Sequence, residues 1–208
     1  MMDLSLGECE ALVGKAARGV GLSWGLAQDA AHAASWLVAH GFRNIDFIAQ
    51  LLRRLEVVDV AMTRPQREVS GASIRWSGEG GMLCPFTVGA SLADFGDVID
   101  SSLENVLMPI VLLPFIDRVA VRAGRAVQAQ WHDEVVVTAG HRLLQYSAGV
   151  IETASATVLL RCIETRPAFS LSSIQRAAVT DTDYAFLNSL AHRTYVPATA
   201  QSRLHGAG

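Results

Sequence analysis

Leu6, Cys9, Val13, Ala16 and Val20 recur at the three-to-four-residue spacing of a single helix face. Ser5-Leu6-Gly7-Glu8 ahead of them has the S-x-x-E form of a capping box, so the pattern predicts a first helix as far as about Arg18. Gly19 and Gly21 break it. Ser23 is placed to cap a second helix whose apolar face is Ala27, Ala30, Ala31, Ala34, Leu37 and Val38 and which ends at Gly41. The small residues on that face let a neighbour pack closely. A third helix over residues 44–55 sets Ile45, Ile48, Leu52 and Leu55 on one side and Arg53 and Arg54 on the other.

After the breaker-rich stretch Thr63-Arg64-Pro65-Gln66, read as a linker, the period changes. Ala72, Ile74 and Trp76 alternate with Ser73, Arg75 and Ser77 as in a half-buried strand, and Gly78, Gly80 and Gly81 turn the chain. Phe86 and Val88 read as a second short strand, and Ser91-Leu92-Ala93-Asp94 opens a helical or irregular segment as far as Leu103. Strand-like runs then follow at residues 110–113, 118–123, 126–131, 135–138, 142–146 and 156–163, with short connections that favour an antiparallel meander. Asp181-Thr182-Asp183 supplies a cap and a first-turn acid for a last helix carrying Tyr184, Leu187, Leu190 and Ala191 and ending near Pro197, and residues 201–208 read as a frayed end. The prediction is one α+β domain over residues 1–208. A helical layer (1–60) packs on a mainly antiparallel β-sheet (68–165), with a C-terminal helix (173–197).

Half of the 208 residues are hydrophobic and 18% are charged, a composition that folds without disulfides or structural metal and excludes disorder as the main state. The formal charge of −3 gives no long-range attraction to polyanions and argues against nucleic acid as a partner. The most apolar stretch, residues 106–116, is shorter than a spanning helix and is interrupted by Pro109 and Pro114, so no membrane span is expected. The first ten residues carry Asp3, Glu8 and Glu10 and do not have the form of a secretory signal. Cys9, Cys84 and Cys162 are widely spaced, with no CxxC pair, and read as reduced core thiols of a cytoplasmic protein. Of the 17 cationic residues only Lys15 is lysine. The arginine excess fits a GC-rich bacterial genome, or a set of planar forks for carboxylate or phosphate.

Nucleotide fingerprints are missing: there is no G-x-x-x-x-G-K-[ST], and Gly19-Val20-Gly21 follows a helix rather than a strand. The G-x-S-x-G nucleophile elbow is missing too, and no histidine pair has H-x-x-x-H or H-x-H spacing. Four stretches carry candidate chemistry. Trp131-His132-Asp133-Glu134 clusters a histidine with acids; it reads as a solvated hairpin turn, or, if strand spacing places His132 and Glu134 on one sheet face, as a metal site or a general base. Around Arg18-Gly19-Val20-Gly21-Leu22-Ser23-Trp24 the expectation is a tight helix-to-helix turn with Trp24 packed as a staple. The same geometry offers Arg18, Ser23 and Trp24 to an anion at the start of the second helix. Arg75-Trp76 followed by the Gly78–Gly81 loop is an ordinary hairpin, or an approach to a small ligand. Arg161 and Glu164, near the end of the last predicted strand, read as a surface pair, or as lining a cleft.

Ala17-Arg18-Gly19, Gly21-Leu22-Ser23-Trp24-Gly25-Leu26-Ala27, Trp36-Leu37 and, at the end, Pro197-Ala198-Thr199, Ser202-Arg203-Leu204 and Gly206-Ala207-Gly208 resemble the bacterial family catalogued as Domain of Unknown Function 3726. The resemblance implies a bacterial, cytoplasmic protein and carries no activity, substrate or catalytic residues; it rests on the two ends, and the middle of the chain has no matching motif. The opening pair of amphipathic helices joined by a glycine-containing turn is also similar to the N-terminal helices of the malate/lactate dehydrogenase family that is unrelated to the Rossmann enzymes. The His- and Ser-containing motif of that family is absent from Ala39-His40-Gly41-Phe42-Arg43-Asn44, and this chain is far shorter.

Three functional expectations follow. The first is a binding or accessory protein for a small anionic metabolite, held by arginines such as Arg18, Arg75 or Arg203. The second is an enzyme using His132, Asp133 or Glu134 as acid and base, and the third a homo-oligomeric scaffold joined through the apolar segment 106–116. No cofactor is named by the sequence, and composition, periodicity and spacing do not choose among the three.

Overall fold

The structure, a computed structural model, describes residues 1–96, 100–140, 142–145, 153–164 and 174–195. Strand β1 (Met2–Ser5) leads into helix α1 (Leu6–Gly19), followed by α2 (Trp24–Ala39) and α3 (Asp46–Val57). The capping box at the start of α1 is complete: Glu8 N–H donates to Ser5 Oγ at 3.3 Å and Ser5 N–H donates to Glu8 Oε2 at 2.8 Å. The Glu8 carboxyl is held below its usual range first by that backbone bond and then by the Ser5 hydroxyl.

A seven-stranded sheet follows, in the order β2-β3-β4-β8-β5-β6-β7. Its strands are β2 (Pro65–Ser70), β3 (Ser73–Gly78), β4 (Asp100–Leu107), β5 (Ala126–Trp131), β6 (Glu134–Thr138), β7 (Leu143–Gln145) and β8 (Ser155–Ile163). All neighbours are antiparallel except β3 and β4, which run parallel with Trp76 beside Leu103. Helices α4 (Pro85–Phe95) and α5 (Leu113–Ala123) lie on one face of the sheet, with α2 and then α1 packed beyond them. Strand β9 (Arg176–Val179) pairs with β1, and α6 (Asp181–His192) closes against α1 and α3. Thr180 caps α6, and Asp181 and Asp183 supply its first-turn acids. Helical layer, mainly antiparallel sheet and C-terminal helix are thus all present as the hydrophobic periodicity predicts.

Several segments differ from expectation. The predicted linker runs into the edge strand β2, whose first two residues are Pro65 and Gln66 and whose pattern is polar because that strand has one neighbour and little burial. The predicted strand at Phe86 and Val88 is helix α4. The predicted strands at 110–113 and 118–123 are a 3-10 turn (Pro109–Leu112) and helix α5. In both helices proline occupies the first turn, where its missing N–H costs nothing. The apolar segment 106–116 is core: Val106, Ile110, Val111, Leu112, Leu113 and Phe115 are fully buried within this chain, so the expected interface role for it falls away. Leu112→Asp would put an unpaired charge into the core. Cys9 and Cys84 are buried thiols, pushed up to about 12 and about 11 by burial first of all.

Candidate functional site

An open groove of about 440 Å³ runs between α1 and α2 on the side away from the sheet. Its floor comes from the helical spacing Gly7, Ala11 and Gly14 on α1, opposite the buried stripe Cys9, Val13 and Ala16, and from Ala27 and Ala31 on α2. No side chain larger than a methyl group rises from those five positions, which leaves the concavity. Glu10, Lys15, Arg18, Trp24, Gln28 and Thr194 form its walls.

The turn joining α1 and α2 positions the cationic end. Gly19 lies so close to α6 that a Cβ there would sit 1.9 Å from the Leu190 carbonyl oxygen, and Leu22 is fully buried. Ser23 caps α2, its Oγ accepting from Leu26 N–H at 3.4 Å. Trp24, the first residue of α2, is not packed as a staple: it is 73% exposed, with the Arg18 guanidinium 4.7 Å from its ring centroid. Arg18 also donates to the Leu22 carbonyl, which fixes the guanidinium but leaves most of its five donors free. Lys15 donates to Tyr195 Oη at 3.2 Å. Glu10 lies about 12 Å from Arg18 along the axis of α1, eight residues at a rise of about 1.5 Å, and accepts from the Ser35 hydroxyl.

Neither Lys15 nor Arg18 has a carboxylate partner among the described residues, unlike Arg43, Arg53, Arg75, Arg118, Arg176 and Arg193. Arg43 and Arg176 share Asp3, each at 2.8 Å, and hold its carboxyl below the usual range, Arg43 contributing most. Arg118 pairs with Asp29 at 2.8 Å, Arg53 with Asp183 and Arg193 with Glu56, each of the last two at 2.5 Å.

The remaining predicted residues do not join this groove. Arg75 lies on the open face of the sheet, forked to Glu104 at 2.6 and 3.0 Å, which lowers the Glu104 carboxyl and raises the guanidinium. Trp76, the next residue, points to the opposite, buried face and is 2% exposed, so the two cannot touch one ligand from one side. The loop after them is filled rather than open: a Cβ on Gly78 would lie 1.8 Å from the Met82 carbonyl oxygen and one on Gly80 2.9 Å from the Met62 Cβ. His132 and Asp133 are the two exposed turn residues between β5 and β6, His132 with φ of 50°, and Glu134 opens β6 opposite Trp131. None of the three has a side-chain hydrogen bond or ion pair among the described residues, and Glu134 Oε2 is buried without a partner. Arg161 lies 3.3 Å from Gln130 Oε1 rather than pairing with Glu164. Arg203 lies outside the described residues. Among those residues no group of three His, Cys, Asp or Glu side chains could hold a metal ion, and no helix is long and apolar enough to cross a membrane.

Sequence reasoning therefore found Arg18 and Trp24 but missed Lys15, Glu10, Gln28 and the floor. The available signal was the spacing 7, 11, 14, 18, a run of small residues ending in a cation on the face of α1 turned away from the core.

The fold and groove define an α+β protein with a concave, cation-rimmed helical face. Residues 4–76, which run from β1 to within β3 and include both groove helices, match the model of a family described as "Protein of unknown function (DUF3726)". The resemblance seen in the N-terminal residues is borne out over that span, while the C-terminal residues that also carried it lie outside both the match and the described residues. No curated protein matches the chain in sequence.

Solved structures with partial similarity include three dehydrogenases. They are malate dehydrogenase from Entamoeba histolytica (11% identity, TM-score 0.42, 66% of this chain and 43% of that one), sulfolactate dehydrogenase from Methanocaldococcus jannaschii (12%, 0.47, 65% and 47%) and malate dehydrogenase from Pyrococcus horikoshii OT3 (9%, 0.46, 66% and 47%). This chain spans less than half the length of each, and the activities in their names remain those proteins' own.

Proposed function

We propose that this protein binds a small anionic molecule in the groove between α1 and α2. The observation that carries the reading is the pairing of a methyl-and-glycine floor with two cations, Lys15 and Arg18, that no carboxylate of the described fold neutralises. A volume of about 440 Å³ falls within the range of small-molecule sites, and the exposed Trp24 adds an aromatic wall next to the guanidinium. The anion accepts from the unused donors of Lys15 and Arg18 while its apolar part covers Ala11, Gly14 and Ala27.

Thermal denaturation against a panel of inorganic phosphate, succinate, butanoate, hexanoate and octanoate tests this. At least one member raises Tm with concentration, by a stabilisation of about 2.7 kcal/mol at a hundred times its Kd. The Lys15→Ala/Arg18→Ala variant keeps a Tm close to the unliganded protein and loses the response. A panel without effect, or an equal rise in the variant, contradicts the proposal.

A further inference from the structure

We infer that the ligand of this groove is a monoanionic amphiphile, an aliphatic carboxylic acid with one charged head and an uncharged tail, rather than a compact polyanion or a dicarboxylate. The inference rests on the reading of the groove as an anion site and adds the class of molecule it accepts.

The charges of the groove are not symmetric. Lys15 and Arg18 stand toward the C-terminal end of α1, whereas Glu10 lies two turns earlier, about 12 Å along the axis from Arg18. An anionic head therefore has a favourable end. A second negative charge carried to the far end of an extended ligand would meet the Glu10 carboxylate, which already accepts from Ser35 and has no cationic partner in the described structure. Between the two ends the surface is Ala11, Gly14, Ala27 and Ala31, which offers methyl and methylene contacts and no side-chain donor to a hydrated polyanion. A phosphate or succinate held at Lys15 and Arg18 would leave that floor wet, whereas an alkyl tail covers it. The shape of the floor also fits an extended chain: Gly7, Ala11 and Gly14 follow one another along one face of α1, with Lys15, Trp24, Gln28 and Thr194 among the residues around them.

Titration calorimetry of the full chain with butanoate, hexanoate and octanoate, compared with succinate, inorganic phosphate and octanedioate, decides the matter. Each methylene that enters the groove tightens binding by about two- to fourfold, because one side of an open groove removes part of its surface from water. Octanoate is expected to bind at least tenfold more tightly than butanoate. Octanedioate, with the same carbon count, is expected to bind at least fivefold more weakly than octanoate to the native protein, and Glu10→Gln is expected to close most of that gap without weakening octanoate. Glu79→Gln, which removes an exposed carboxylate after β3 and outside the groove, is expected to preserve the difference between the two acids.

Phosphate or succinate binding as tightly as octanoate, with no dependence on chain length, overturns this inference and leaves the anion site standing. No binding by any member, in a protein whose circular dichroism and Tm are those of the folded chain, overturns both. A groove closed by self-association, seen as a dimer that octanoate does not dissociate and that Trp24→Ala makes monomeric, also overturns it, since a second copy is then the occupant.

Discussion

Gly19 shows how one residue holds the site together. It ends α1 where α6 crosses, and a methyl group there would meet the Leu190 carbonyl oxygen, a backbone atom that cannot rotate away. Gly19→Ala is therefore expected to destabilise the protein by about 2–3 kcal/mol in urea denaturation, an overpacking cost that arises far from the core centre. A loss below about 0.5 kcal/mol would mean that α6 can shift outward freely. The neighbouring residues divide the work of the turn. Leu22 anchors it, Ser23 satisfies the first turn of α2, and Trp24 and Arg18 remain outside as a stacked pair. The sequence does not foretell that Trp24 stays out, because a tryptophan beside a cap ordinarily packs down. Here the buried position nearby belongs to Leu22.

At the scale of elements, the β1–β9 ribbon is fastened by one carboxylate. Asp3 accepts from Arg43, which follows α2, and from Arg176 of β9, so β1 is tied to two parts of the chain distant from it in sequence. Its carboxyl is held below the usual value of 3.8 chiefly by the Arg43 bond. A lowered pKa in the folded state means stabilisation that is present above the unfolded value and lost as the pH falls through the folded one. The fall in urea midpoint between pH 5 and pH 3 should accordingly be smaller in Asp3→Asn than in the native protein. The difference should shrink at 1 M salt, because the group is exposed and screened. Identical pH profiles would remove Asp3 from the account of acid sensitivity. Most other elements were legible from periodicity: α1, α2, α3 and α6 have amphipathic stripes, and α1, α2 and α6 are capped by Ser5, Ser23 and Thr180 as well. Helices α4 and α5 were not. Helix α4 buries Phe86, Val88, Gly89 and Leu92, and its polar side is only the small Thr87 and Ser91 with Asp94, while Arg118-Val119-Ala120-Val121-Arg122 alternates like a strand although it winds. Strands β1 and β9 pair across most of the chain, a contact that no local pattern encodes.

Across the whole molecule, the sheet and its two covering helices form the support, and the candidate site lies on the outer helical layer, separated from the sheet by α2 and α4–α5. That placement explains why a search for chemistry among the strands led to Arg75 and His132. Both stand on the sheet, Arg75 already satisfied by Glu104 and His132 in an exposed turn. The floor of the groove was hidden for a different reason: alanine and glycine on a helix face read as close packing, which holds at Gly14, where a Cβ would lie 3.3 Å from the Ala31 Cβ of α2, while Gly7 and Ala11 stay open to the groove.

Because Lys15 is the single lysine of the chain, its reactivity reports directly on the groove. The most direct measurement is the rate at which an amine-acylating reagent modifies Lys15, read by mass spectrometry with and without saturating octanoate. The Met1 amine, which pairs with Asp181 outside the groove, serves as the internal control. Selective slowing at Lys15, at least fivefold with Met1 unchanged, is the predicted result. Equal rates at Lys15 with and without octanoate, at a concentration that raises Tm, would place the ligand elsewhere and contradict the account.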